Sequence, residues 1–185
     1  MINTFRNIFK PSGNTDHDRF DDNDNHRDLA ERIFRVVNEY RTSIKKPSLI
    51  FLSSICDVSQ SHSQYLAKHD IREGSWAHVN WAEETASNRS PGDIYRCDKI
   101  SMLPQRFRKV AENVGTSDLP TAQLWMPVHQ PEIAEIFLQK WLASTRGHRE
   151  TIEDDYTHSG IGVAIRAMPE AGDRSLIFVT QHFAK

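Results

Sequence analysis

The order of helical and strand patterns along the chain constrains its fold more than any other feature of the sequence. Apolar residues recur at helical spacing over 29–40 and over Ser53–His69, and a third amphipathic helix is predicted over 131–147. Two strands follow, because 159–167 is rich in Gly, Ile and Val while apolar residues alternate over 176–183. This order predicts an α+β fold in which helices pack on one or both faces of a small sheet.

Two further segments complete the predicted domain, which spans 27–185. A short apolar segment, 110–115, predicts a strand ahead of the third helix. Between the second helix and this strand, residues 70–107 show no periodicity. So long an aperiodic stretch is uncommon in a compact domain and is typical of functional or mobile loops. Ahead of the domain, residues 1–26 are predicted to form a flexible polar and acidic tail.

The tail contains two patterns with alternative interpretations. Four apolar residues could line one side of a short helix, with two basic residues opposite them: Ile2, Phe5, Ile8 and Phe9, with Arg6 and Lys10. Such a helix could contact a membrane surface, but we favour a tail without stable structure because an isolated helix this short is marginal in water. The Asp-rich run that follows does not match an EF-hand. Counted from Asp21, His26 and Arg32 stand where that loop needs Gly and Glu.

Composition excludes several classes of protein. The chain has 23 Lys and Arg against 25 Asp and Glu, so it lacks the basic excess of proteins that coat nucleic acid. No apolar run approaches the ~20 residues of a membrane-spanning helix. Cys56 and Cys97 are too few for a disulfide framework, and two unpaired buried thiols are expected. No signal peptide is visible, which at face value indicates a cytoplasmic protein.

Nine histidines are the main candidates for site chemistry, because no standard nucleophile or metal motif is present. His62 lies on the core-facing side of the second predicted helix and is interpreted as a structural residue. His182 lies in the last predicted strand and could face either way. His78 and His148 stand in short local phrases, Ser-Trp-Ala-His and Gly-His-Arg, and are retained as candidate ligands or catalysts.

Seven short phrases follow one another along the chain: Val37-Asn38-Glu39-Tyr40-Arg41, Ser75-Trp76-Ala77-His78, Ala111-Glu112-Asn113-Val114, Lys140-Trp141-Leu142-Ala143-Ser144, Gly147-His148-Arg149, Gly160-Ile161-Gly162-Val163-Ala164 and Val179-Thr180-Gln181-His182-Phe183. In this order they resemble the CAP superfamily, also called the SCP domain, which groups cysteine-rich secretory proteins, antigen 5 and pathogenesis-related proteins. The short, cysteine-poor bacterial branch is the most similar. The resemblance runs from about Leu29 to the C-terminus and implies a three-layer α-β-α sandwich with a small, mainly antiparallel sheet.

The resemblance also implies a cleft that holds two His and one or two Glu. By position, His78 corresponds to the first His, Glu112 to the Glu and His148 to the second His. Two imidazoles and a carboxylate are an ordinary ligand set for zinc or another divalent metal. Ser144 stands where the longer eukaryotic members have a second Glu, so the carboxylate pair of those members is absent at that place.

Three functions follow as hypotheses. The favoured one is a binding module whose cleft, with Trp76 and Trp81 near its rim, takes a divalent metal and a lipid, peptide or cell-surface ligand without established catalysis. The second is a zinc-dependent hydrolase of esters or peptides with Glu112 as general base. The third is an intracellular interaction protein that keeps only the fold. Members of the superfamily are mostly secreted, so the compartment stays open, as does the oligomeric state.

Overall fold

The structure is a computed structural model that describes residues 24–72, 77, 100, 103, 105–124 and 126–185. Its helices and strands follow in the order α1 (Asp24–Ser43), β1 (Ile50–Phe51), α2 (Ser53–His69), β2 (Val110–Pro120), α3 (Thr121–Leu124), α4 (Gln130–Leu142), α5 (His148–Glu153), β3 (His158–Ala167) and β4 (Arg174–Ala184). Short 3-10 turns occupy Pro127–His129 and Pro169–Ala171. The predicted α+β class is confirmed.

The strands form a four-stranded sheet in the order β1-β3-β4-β2. β1 pairs with β3 in parallel, whereas β4 pairs antiparallel with both β3 and β2. Helices α1 and α4 cover one face of the sheet, and α2 covers the other. The predicted three-layer α-β-α sandwich with a mainly antiparallel sheet is therefore confirmed. β1 was not predicted because two residues are too few to establish a strand pattern.

Side chains of β4 alternate between the two faces of the sheet. Leu176 and Phe178 pack in the apolar cluster on the α2 side, which includes Leu66. Their neighbours Ile177 and Val179 pack in the larger cluster with α1 and α4. Even-numbered residues of β4 therefore face α2, and odd-numbered residues face α1 and α4.

Helix α2 packs directly on the backbone of β3 because two glycines leave room for it. A Cβ atom added at Gly160 would lie 2.3 Å from the backbone nitrogen of Cys56, and one at Gly162 would lie 2.2 Å from that of Gln60. The Gln60 side chain closes the contact, since its amide donates to the Val163 carbonyl and accepts from the Val163 N–H, each at 2.9 Å. The Gly-Ile-Gly phrase is thus a helix-docking feature, for which only a residue without a Cβ fits.

The Asn38-to-Arg41 phrase at the end of α1 has a structural role as well. The Asn38 amide donates to the carbonyl of Leu49 and accepts from its N–H. Arg41 is only 1% exposed, and its guanidinium donates to four backbone carbonyls, those of Pro47, Ile152, Asp154 and Tyr156. These carbonyls replace the water that the buried cation loses. Asn38 and Arg41 therefore connect the end of α1 to the backbone before β1 and to the backbone from the end of α5 to the start of β3.

Some predicted boundaries differ from the structure. The third predicted helix was expected to reach Gly147, but α4 ends at Leu142. Gly147 instead has φ 91° and precedes α5, a left-handed conformation that glycine adopts without a Cβ clash. The strand predicted over 110–115 continues to Pro120, because pairing with β4 extends through residues too polar for a strand pattern. The tail patterns over 2–10 lie outside the described residues.

Two further observations concern the cysteines and the membrane. Cys56 is a free, buried thiol, and its burial raises its pKa to about 12, so the thiolate that reacts with oxidants is suppressed at neutral pH. Cys97 lies outside the described residues. No helix within the described ranges is long and apolar enough to cross a bilayer.

Replacing Gly162 by alanine tests the close packing of α2 on β3. We expect Gly162→Ala to lower the free energy of unfolding by about 3 kcal/mol, at the upper end of overpacking costs, because the added methyl group overlaps backbone. Equilibrium urea denaturation measures the change. Gly172→Asn is the control, since Gly172 has φ 78° and an added Cβ would meet nothing within 4 Å, and asparagine tolerates that conformation. Equal stability of the two variants would contradict the packing.

Candidate functional site

Three polar side chains meet between the sheet and α2. Glu112 of β2 pairs with His182 of β4, and both face α2. Oε2 of Glu112 lies 2.8 Å from Nε2 of His182 and 3.6 Å from Nε2 of His62. The side chains of Glu112, His182 and His62 are 3%, 0% and 2% exposed. We call these residues the His62–Glu112–His182 cluster.

Helix α2 contributes a polar stripe to this interface. Four buried residues of α2 recur at helical spacing and therefore lie on the face turned towards the sheet. They are the polar residues Ser59, His62 and Ser63, followed by the apolar Leu66. The Ser63 hydroxyl lies 3.0 Å from the Gly162 carbonyl and 3.0 Å from the Thr180 hydroxyl. The stripe meets polar groups of β3 and β4, which offset the cost of burying it.

Ser59 connects α2 to β3 and β4. Its hydroxyl lies 2.9 Å from the Ile55 carbonyl, 3.0 Å from the Gly160 carbonyl and 2.9 Å from Nδ1 of His182. The hydroxyl donates to a carbonyl when Nδ1–H of His182 donates to the Ser59 oxygen, and it donates to Nδ1 in the other tautomer of His182.

His182 and Glu112 are in ion-pair contact. Nε2 of His182 lies 2.8 Å from Oε2 of Glu112, but the angles between the two groups are not those of a hydrogen bond. An imidazolium beside the carboxylate would give the pair no net charge, which reduces the cost of its burial.

His62 connects the cluster to the segment after α2. Its Nε2 lies 2.8 Å from the carbonyl oxygen of Ala77, and a carbonyl only accepts, so this nitrogen carries the proton. Its ring stacks on Tyr65 with an interplanar angle of 13°. The interpretation of His62 as a buried, hydrogen-bonded histidine therefore agrees with its surroundings.

The predicted site residues fall in different places. Glu112 is in the cluster, and His78 lies outside the described residues. His148 begins α5, where its carbonyl accepts a hydrogen bond from the Asn113 side chain at 2.9 Å. Asn113 pairs with Gln181 of β4 and faces α1 and α4, so the His148 backbone and the Glu112 side chain lie on opposite faces of the sheet. The set of His78, Glu112 and His148 stays a prediction.

His62 and His182 were not among the residues predicted for the site. One signal was present: if Glu112 and His182 stand opposite each other on neighbouring strands, strand alternation places both on the same face. The pairing register itself was not visible in the sequence. His62 required the further knowledge that α2 lies on that face.

The described residues do not form a metal site by themselves. Among them, no group of three or more His, Cys, Asp or Glu side chains is arranged to hold a metal ion. The cluster contains suitable donor types, but the Nε2 proton of His62 is directed to Ala77. A protonated imidazole nitrogen cannot be a ligand.

Ser144 and Thr151 have local roles in the structure. Ser144 stands where longer members have a second Glu, and its hydroxyl accepts a hydrogen bond from the Arg146 N–H at 3.1 Å. Thr151 of α5 donates from its hydroxyl to the Gly147 carbonyl at 2.9 Å. Both side chains stabilise the turn and short helix after α4. Trp76 and Trp81, expected near the cleft rim, lie outside the described residues.

A double-mutant cycle tests whether Glu112 and His182 act as one buried pair. We expect Glu112→Leu and His182→Leu each to lower the free energy of unfolding by about 3–5 kcal/mol, because each leaves a buried polar partner uncompensated. The double variant should lose less than the sum, with a coupling energy of about 2 kcal/mol. Urea denaturation gives all four values, and a double variant that folds where a single variant does not supports the pair equally.

The control cycle uses an exposed pair of the same residue types. Nδ1 of His129 lies 3.4 Å from Oε2 of Glu132, with side chains 33% and 76% exposed. The coupling energy between His129 and Glu132 should be below about 1 kcal/mol because solvent screens the two charges. Effects that simply add at Glu112 and His182 would contradict the coupling of these two side chains.

Comparisons with known proteins agree with the fold. No protein-family model matches the chain, and no curated protein matches it. Among solved structures, an extracellular protein containing an SCP domain from Bacillus anthracis is similar at 22% identity with a TM-score of 0.56, over 86% of this chain but only 41% of that one. An outer surface protein from Borrelia burgdorferi is similar at 14% identity with a TM-score of 0.54, over 86% of this chain and 92% of that one.

These likenesses concern three-dimensional structure, since both identities are low. They agree with the layer order and the sheet. The fold implied by the resemblance is confirmed: this chain shares the fold of a protein that contains an SCP domain.

Proposed function

We propose that this chain is a binding module built on the SCP fold and that it catalyses no reaction at Glu112. The burial of this residue carries the proposal. Its side chain is 3% exposed and lies between two imidazoles. A general base has to reach the proton of an attacking water or substrate, and these contacts occupy the carboxylate instead.

The contacts from Ser59 through His182 to Glu112 follow the order of a serine-hydrolase triad. Ser59 is 0% exposed and lies in α2 against the backbone of Gly160. A nucleophile must reach the substrate with its proton directed to a base. Its complete burial therefore supports a structural role for Ser59.

The proposed ligand is the one expected from the sequence: a lipid, a peptide or a cell-surface molecule. The two structural neighbours are described as an extracellular protein and an outer surface protein. This supports the proposal that the chain meets its ligand outside the cell. The intracellular interaction protein is the alternative that shares the same fold.

An assay of ester and peptide hydrolysis tests the proposal directly. We expect p-nitrophenyl acetate and casein to be turned over no faster by the wild type than by Glu112→Gln, with or without added zinc, because the carboxylate is closed to substrate. Glu132→Gln is the matched control, since it makes the same change at an exposed residue. A rate that falls tenfold or more in Glu112→Gln alone would overturn the proposal in favour of the hydrolase.

Divalent-metal binding by His78, Glu112 and His148 is a separate proposal and has its own test. Zinc is titrated by calorimetry at neutral pH into the wild type and into His78→Ala/His148→Ala. The proposed set predicts that binding is lost in this variant and weakens as pH falls through about 6.5, because protonated imidazole cannot ligate. His129→Ala/His158→Ala is the control with the same composition change. Equal affinity in all three proteins, or none in the wild type, would reject the set.

A further inference from the structure

A pocket of about 490 Å³ lies between α1 and β1, away from the His62–Glu112–His182 cluster. We call it the α1–β1 pocket. The residues that line it include Glu31, Phe34, Arg35, Asn38 and Glu39 of α1 and Phe51 of β1. The five from α1 recur at helical spacing along one side of the helix, and the volume falls within the range of ligand-binding clefts.

The floor of the α1–β1 pocket is aromatic. The rings of Phe34 and Phe51 meet edge to face, with centroids 5.1 Å apart and planes at 86°. Both residues are half-buried, so each leaves apolar surface in contact with the pocket. Contact with this floor favours an occupant with apolar side chains.

The rim of the pocket is acidic. Glu31 and Glu39 contribute two carboxylates against the single guanidinium of Arg35. Burial and the neighbouring Asp28 raise the pKa of Glu31 in spite of the opposing effect of Arg27, Arg35 and Arg32, which indicates that solvent covers this carboxylate incompletely. An occupant that also supplies positive charge would offset that cost.

We propose that the occupant is residues 1–10 of this same chain. This segment combines the two required properties: it has large apolar side chains, among them Ile2, Phe5, Ile8 and Phe9, two basic ones, Arg6 and Lys10, and no acidic side chain. The apolar residues would cover the aromatic floor, and the basic residues would face Glu31 and Glu39.

The connecting chain is long enough for this contact. Thirteen residues, 11–23, join the segment to the start of α1, and thirteen extended residues span up to about 45 Å. The helix from Asp24 to Glu39 measures about 22 Å, so every part of the pocket is within reach. Covalent attachment gives the segment an effective concentration in the ~mM range, so a weak contact suffices to fill the pocket.

NMR of the full chain tests the proposal. Backbone amide spectra are compared for the wild type, for Phe5→Ser/Phe9→Ser and for the control Asn3→Ser/Asn7→Ser, which alters the same segment at polar positions. We expect shifts at amides around 31–42 and 48–51 in the phenylalanine variant only, because only that variant uncovers the aromatic floor. The same variant should gain fluorescence with an apolar dye that enters the emptied pocket.

Charge reversal provides the second arm of the experiment. Arg6→Glu/Lys10→Glu should produce the same pocket shifts, and adding Glu31→Lys/Glu39→Lys should restore the wild-type pattern. Unchanged pocket amides in the phenylalanine variant would overturn the proposal. So would pocket shifts that disappear on dilution, which would assign the pocket to a second copy, or that appear only when anionic lipid vesicles are present, which would assign the segment to a membrane.

Discussion

The direct contact between α2 and the backbone of β3 is the constraint on which the rest of the structure depends. Because Gly160 and Gly162 have no Cβ, the backbone of α2 lies directly against the backbone of β3. Gln60 fixes the position of the helix along the strand with two hydrogen bonds to Val163. Over the two glycines α2 carries small polar side chains, Ser59 and Ser63, which bond to the Gly160 and Gly162 carbonyls. The larger apolar residues of the same face, Ile55 and Leu66, pack in apolar clusters to either side.

The polar cluster follows from that constraint. Ser59 and His62 are held against β4 and β2, where His182 and Glu112 stand opposite each other. The Glu112 side chain is only 3% exposed, and an imidazolium beside it would offset the cost of burying the carboxylate. A Ser-His-Glu order of contacts is thus compatible with a purely structural role.

Several of the short sequence phrases that indicated the fold consist of residues with structural roles. Asn38 and Arg41 bond to backbone groups, Gly160 and Gly162 dock a helix, and Asn113 holds the start of α5. Their resemblance to the SCP domain therefore reports packing requirements, which explains why it predicted the architecture well. It carried less information about chemistry, because the same residue types occur whether or not a site is functional.

Hydrophobic periodicity alone determined the helices, the two long C-terminal strands and the pairing of helices with a small sheet, because these patterns are local and repeat over many residues. The order of the short phrases singled out Glu112. Only the tertiary structure decided what Glu112 contacts, because register and helix docking bring together residues far apart in the chain: His62, fifty positions before it, and His182, seventy after it. The separation of the His148 backbone from Glu112 across the sheet was likewise invisible in the sequence, since strand alternation assigns a face only once the neighbouring elements are in place.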